Sequence, residues 1–198
     1  MGDVVTVRLM RHAPTKENLE KRYIGWTDSP LADASVLPEV DRHVKKVYGS
    51  DLIRCQQTAA QYFPNAIYVR DARFRESNFG DFEGKTYAEL KSDNRYCAWL
   101  DNPIGNIPPN GEGFETFCNR VIEGFLALPK EENDYALVAH GGVVRAILVH
   151  FGPEEKPFWF YDVPHDVLFT LTFLKKDWKE GARCTSLSVE PITGKRTM

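Results

Sequence analysis

An α/β fold with a mostly parallel central sheet is predicted by three features of this 198-residue sequence. Short apolar runs of strand length alternate with segments whose apolar residues recur at helical period. Two of the runs, Val4 to Met10 and the one beginning at Tyr135, end abruptly in ionisable residues. Hydrophobic residues at 42% and charged residues at 27% are ordinary for a globular protein, and the length suits a single domain over 1–198.

Each element follows in order. After the first strand, Val4 to Met10, a polar loop extends to about Pro30. In VLPEVDRHVKKV (36–47) apolar positions fall at helical spacing behind a proline near the start, which predicts a helix. A short strand at Val47-Tyr48 turns through Gly49-Ser50 into DLIRCQQTAAQYF (51–63), where Leu52, Ile53, Gln56, Ala59, Ala60 and Phe63 recur at helical period. AIYV (66–69) is a further strand. The stretch from Arg73 to Lys85, rich in glycine and charge, reads as a loop, residues 86–100 as weakly helical, and NPIGNIPPNGEG (102–113) as a chain of turns. FETFCNRVIEGFLAL (114–128) sets Phe117, Val121, Ile122, Phe125 and Leu128 on one helical face. YALVAHGG (135–142) is a strand that ends in a histidine, VVRAILVHF (143–151) a helix, and VLFTLTFL (167–174) and CTSLSV (184–189) late strands. There is no internal repeat and no low-complexity linker.

The totals narrow the function classes. A net charge of −3 predicts no nucleic-acid or membrane partner drawn by bulk charge, so an anion would need a local basic pocket. Cys55, Cys97, Cys118 and Cys184 are scattered, without the spacing of a disulfide framework or a zinc site, and read as reduced thiols. The start MGDVVTV lacks the features of a signal peptide, and no window has the apolar length of a membrane span. A cytoplasmic protein is the expectation.

In open α/β sheets, ligands gather beyond the carboxyl ends of the strands. Arg11 and His12 follow the first strand, Arg54 follows the turn after the second, and His140 ends YALVA. If these strands are neighbours, two arginines and two histidines meet in one crevice, and a phosphoryl group is their natural partner. Arginine presents a charged planar fork matched to phosphate oxygens. A histidine is neutral and nucleophilic at physiological pH when its pKa is near the usual value of about 6.5. Phosphoryl transfer needs positioning and charge neutralisation above all, and a covalent histidine intermediate divides one hard displacement into two easier ones. Gly141 and Gly142 let backbone approach a ligand at a helix N-terminus that favours anions. Taken singly, each residue also has a structural reading: Arg11 pairing with a carboxylate, or His140 as a satisfied core histidine. The combination carries the weight.

Five segments, in order, resemble the histidine phosphatase superfamily, the phosphoglycerate mutase-like group. LMRHAPTKEN resembles its Arg-His-Gly signature and RYIGWTDSPL the segment behind it. YGSDLIRCQQTA is similar to its Ser-x-Leu-x-Arg-x-x-x-Thr-Ala stretch, RESNFGDFEGKT to its acid-bearing loop, and VAHGGVVRA to its second histidine motif. The resemblance implies a three-layer α/β/α sandwich and a metal-independent phosphomonoesterase that acts through phosphohistidine on a small phosphorylated metabolite. By it, His12 is the nucleophile; Arg11, Arg54 and His140 hold phosphoryl oxygens; Asn18 adds a hydrogen bond and Gly141 a backbone N–H. Glu76 is the general acid that protonates the leaving oxygen and then activates water, with Glu83 a rival better suited to a structural hydrogen bond. No cofactor is implied, and a metal site among the five histidines has no supporting spacing. The compact chain and FGDFEG are similar to the phosphatase branch, including α-ribazole phosphatase-like and broad-specificity enzymes. Cofactor-dependent phosphoglycerate mutase-type phosphotransfer and a non-catalytic phospho-ligand-binding protein stand as alternatives. Oligomeric state is left open.

Two departures from the family pattern stand out: Ala13 replaces glycine, and Pro14 removes an N–H. Thr15 either touches phosphate or fixes its loop, and Thr58 packs or caps within its helix. Arg120 is expected in a buried ion pair or at the rim, and Arg145 in a structural role. His43 and His150 fall in helical patterns, and His165 is expected to stay outside the site. Trp26, Trp99, Phe158, Trp159 and Tyr161 are candidates for a substrate cleft or for core.

Overall fold

The computed structural model describes residues 3–33 and 37–192. The eight residues β1 (Val4–Arg11) sit near the middle of a six-stranded sheet. A four-residue helix α1 (Lys16–Leu19) interrupts the polar loop that follows, closed by a reciprocal cap between Thr15 and Asn18. Next come β2 (Lys46–Gly49), α2 (Ile53–Tyr62) and β3 (Ile67–Arg70). Short 3-10 turns at Ala72–Phe74 and Gly80–Phe82 punctuate the loop from 73 to 85. The weakly helical stretch resolves into α3 (Tyr87–Leu90) and α4 (Asn94–Asp101). Then follow α5 (Phe114–Leu126), β4 (Asp134–Ala139), α6 (Gly141–Phe151), β5 (Val167–Leu174), α7 (Lys175–Glu180) and β6 (Ser186–Pro191).

The strand order is β3-β2-β4-β1-β5-β6, with the first four parallel, β5 antiparallel to β1, and β6 antiparallel to β5. Alternation along the central strands divides the core between two faces. Val5, Val7, Leu9, Tyr135 and Leu137 pack with α5, α6 and Trp178 of α7. Met10, Val47, Ala136 and Val138 pack with Cys55, Ala59 and Tyr62 of α2. The result is the predicted three-layer sandwich. β4 is buried from Tyr135 to Ala139 without alternation, because helices cover both of its faces. No helix among the described residues is long and apolar enough to cross a membrane.

The helix expected over 36–47 does not form; Val36 lies outside the described residues, and 37–45 has no helix or strand. The backbone amides of Val40 and Asp41 both donate to Tyr62 O, at 2.9 and 3.1 Å, at the carbonyl end of α2. Those amides are therefore unavailable for an i→i−4 ladder. Leu37, Val40 and Val44 use their spacing to pack on the α2 side of the core instead. His43 consequently sits in an exposed turn.

Candidate active site

The central pairing of β1 with β4 decides the geometry. Their register sets Arg11 opposite Ala139, and His12 N donates to Ala139 O at 2.9 Å, so His12 and His140 leave the sheet side by side. Their ring centroids are 5.1 Å apart, and both side chains are buried. His12 Nδ1 lies 2.7 Å from Ala13 O. A carbonyl only accepts, so Nδ1 carries the proton and Nε2 keeps its lone pair. Burial lowers the His12 pKa well below 6.5, with the charge of Arg54 adding to it and the Ala13 carbonyl opposing it. The imidazole is therefore neutral at physiological pH. His140 is shifted the same way, first by burial and then by Arg54 and His12. The Cys55 thiol, which burial pushes up to about 12, stays protonated 3.6 Å from His140 Nε2. The one proton of that thiol is directed at Ala139 O, 3.5 Å away.

Arg54, in the first turn of α2, is wholly buried. Its two terminal nitrogens each donate at 2.7 Å, to Thr27 O and Gly25 O. Arg11 donates to Val163 O at 3.0 Å. Among the described residues, Arg11 Nε, Arg54 Nε and His140 Nδ1 are buried with no hydrogen-bond partner. Each unpaired guanidinium N–H costs about 1–3 kcal/mol, so two of them beside a buried imidazole, together with the unpaired ring nitrogen of His140, are an expense of the fold that bonding to a ligand would recover. Gly141 is the first residue of α6, and a Cβ there would lie 3.5 Å from Arg11 Cζ, so its backbone faces the same charges.

Ala13 is accommodated without strain, since it does not adopt a positive φ. Its amide donates to Thr58 Oγ1 at 2.9 Å, and Thr58 in turn donates to Arg54 O at 2.8 Å. Thr58 thus couples the β1 loop to the helix that carries Arg54. Thr15 is fully buried and caps α1, which selects its loop-fixing role. Asn18 Oδ1 accepts from Thr15 N at 3.1 Å, leaving the Asn18 amide nitrogen as its free-standing donor group.

Glu76 comes from the loop that sequence reading assigned to it and meets the N-terminus of α6. Gly142 N donates to Oε2 at 2.9 Å, and Ser77 N to Oε1 at 3.0 Å. Gly142 is required there: an added Cβ would sit 2.2 Å from Glu76 Oε1. Arg120 pairs with Glu112 at 2.6 Å and donates to the carbonyls of Arg73, Arg75 and Glu76, holding the acid loop on α5. Glu83 accepts from Trp26 N and Thr27 N, both at 2.7 Å, and from Phe79 N at 3.2 Å. It therefore joins the acid loop to the segment that supplies the Arg54 acceptors.

His165, expected outside the site, belongs beside it. Its Nδ1 donates to the carbonyl of His12, and the two rings are 5.4 Å apart. Burial and Arg11 lower its pKa to about 4. No period or motif in DVPHDV marks this residue; the fold brings it in because β5 lies next to β1. Among the described residues no group of three or more His, Cys, Asp or Glu side chains is placed to hold a metal ion.

The family model of the histidine phosphatase superfamily, branch 1, matches residues 7–179. The chain belongs to that family. Histidine phosphatases similar to it include the adenosylcobalamin/alpha-ribazole phosphatase of Escherichia coli K12, 27% identical over 78% of this chain and 83% of that protein. The metal-independent phosphoserine phosphatase of Arabidopsis thaliana is 30% identical over 74% of this chain and 68% of its own. The crystal structure of the alpha-ribazole phosphatase from Shigella flexneri shares the phosphoglycerate mutase-like fold, with a TM-score of 0.75 at 22% identity, covering 94% of this chain and 95% of that one. Phosphatases thus recur among the relatives of this chain, beside phosphoglycerate mutases such as that of Cytophaga hutchinsonii, 28% identical over 74% of this chain and 78% of its own.

Proposed function

We propose that the protein is a metal-independent phosphomonoesterase that works through a phosphohistidine on His12. One observation carries the reading: a neutral buried imidazole with Nε2 free, ringed by the unpaired buried nitrogens Arg11 Nε, Arg54 Nε and His140 Nδ1. A phosphoryl group satisfies all three and neutralises the two guanidinium charges.

In the first step His12 Nε2 attacks phosphorus, the P–O ester bond breaks, and Glu76 gives its proton to the departing alkoxide. In the second, Glu76, now a carboxylate, takes a proton from water as its oxygen attacks phosphorus. The P–N bond breaks and inorganic phosphate forms, returning the proton to Glu76. Arg11, Arg54, His140, the Asn18 amide and the Gly141 N–H hold the equatorial oxygens throughout. Amides of α6 and of its own loop orient the two Glu76 oxygens, which supports a carboxyl fixed in place for both steps. Glu83 is occupied by three backbone amides, which supports its structural reading.

Release of p-nitrophenol from p-nitrophenyl phosphate, with EDTA present, tests the reading. Turnover that survives EDTA and is abolished in His12→Ala is expected. No release between pH 5 and 7.5, or release only with added metal, would defeat it. Interconversion of 3- and 2-phosphoglycerate in the presence of 2,3-bisphosphoglycerate would favour the mutase instead.

A further inference from the structure

Past Glu76 and Gly142 the site opens into a cleft of about 120 Å³ with aromatic walls. Phe79 and Trp99 form one wall, edge to face at 6.0 Å, and Trp99 is braced from behind by Tyr23, Phe82 and Tyr96. Phe114 and Phe158, 4.8 Å apart, form another, and Trp159 stands 4.8 Å from Phe158 with 60% of its surface exposed. Arg145 is the one basic side chain among the cleft residues. Its Nε donates to Tyr161 O at 3.0 Å, and its guanidinium lies over Phe158 and Trp159 at 5.5 and 5.3 Å. The charge of Glu112, also at the cleft, is taken up by Arg120.

We propose that this cleft receives the leaving group and selects phosphomonoesters whose alcohol carries an aromatic ring. The inference rests on the phosphatase reading for the direction in which the substrate lies. With phosphorus at His12 Nε2 and Glu76 at the leaving oxygen, the ester's carbon chain passes Glu76 and Gly142 into the cleft. A ring there loses water from both faces and meets ring edges at several angles, and the half-exposed Trp159 is covered at the same time. A small carboxylate-bearing alcohol would leave those faces wet. It would also set its own charge near Glu76, with a single arginine, already stacked, to answer it.

The test compares kcat/KM for benzyl phosphate, ethyl phosphate and O-phosphoserine, all esters of simple alcohols. Alongside it, the affinities of 2-phenylethylphosphonate and propylphosphonate, which cannot be hydrolysed, are measured by calorimetry. Burial of one phenyl ring predicts a preference of roughly 30-fold for the aromatic member of each pair. Trp159→Ala, at an exposed position that the fold does not need, is expected to cut that ratio by about fivefold. Hydrolysis of all three esters within threefold of one another, or a preference for phosphoserine, overturns the cleft assignment while the phosphatase reading stands. An unchanged ratio in Trp159→Ala also overturns it. If no ester is hydrolysed, the phosphatase reading fails, and the phosphonates decide the cleft alone: a retained aromatic preference upholds it and equal affinities overturn it.

Discussion

Gly142→Ala is expected to disable proton donation while leaving phosphate binding in place. The new Cβ would stand 2.2 Å from Glu76 Oε1, whereas ordinary contact begins at 3.4 Å. The carboxylate must therefore retreat by about 1.2 Å, and it loses the 2.9 Å bond from the residue 142 amide that fixes it. A displacement of about 1 Å in a catalytic group costs on the order of 100-fold, within the 10²- to 10⁴-fold that general acid catalysis supplies. The loss falls on esters whose alkoxide needs a proton. In kcat/KM, which reports the phosphorylation step alone, benzyl phosphate should slow by roughly 100-fold and p-nitrophenyl phosphate, whose leaving group departs readily without a proton, by less than about tenfold. Steady-state kinetics over a series of leaving groups reads this as a steeper dependence of kcat/KM on alcohol acidity. The melting temperature checks that the fold survives, as expected when the obstructing atom ends a flexible side chain. An equal loss across the series would refute the role of Glu76 as the acid, and no loss would refute the geometry.

Three other outcomes follow from the same contacts. Burial lowers the pKa values of His12, His140 and His165, the last to about 4, so between pH 6.5 and 5 the unfolded chain takes up protons that the fold refuses. Stability should therefore fall on acidification through that window, by about 1.4 kcal/mol per pH unit for each histidine fully titrating in the unfolded state only, as read by urea denaturation; a flat profile would contradict the buried neutral assignments. Thr58→Val strands the Ala13 amide without its acceptor and is expected to cost about 1–3 kcal/mol in the same assay, more than the swap would at a surface threonine. His165→Ala removes the donor to the His12 carbonyl and should lower kcat by about tenfold with KM little changed. His165→Asn, which can still donate, should recover part of it; no recovery in His165→Asn would reduce His165 to packing.

How far the site is legible in the sequence depends on the kind of contact. His12 and His140 are legible because each ends an apolar run, and an ionisable residue at a strand's carboxyl end has few purely structural uses. Their adjacency depends on β4 crossing over to lie beside β1, which strand runs alone do not reveal. The segment at 36–47 misleads for a related reason. Leu37, Val40 and Val44 have helical spacing, but the carbonyl end of α2 captures two of the amides a helix would need. Thr58 and Arg120 act through hydrogen bonds to distant backbone, which leave no periodic trace. His165 and α7 escape notice too, the first in an aperiodic loop and the second because KKDWKE offers one apolar residue, Trp178, to mark its buried face. The five motif segments carry the residues proposed to be catalytic, and the aromatic wall emerges only when α4, α5 and the segment around Phe158 are brought together.

The central claim is that phosphate passes through the Nε2 atom of His12. Rapid quench into alkali during turnover of a ³²P-labelled ester, followed by peptide mapping, tests it most directly. The account predicts a label that is stable to base, lost in acid and confined to the peptide bearing His12, on the ring nitrogen that does not face the Ala13 carbonyl. Label on any other residue, or full turnover with no labelled protein at the earliest quench times, would contradict it.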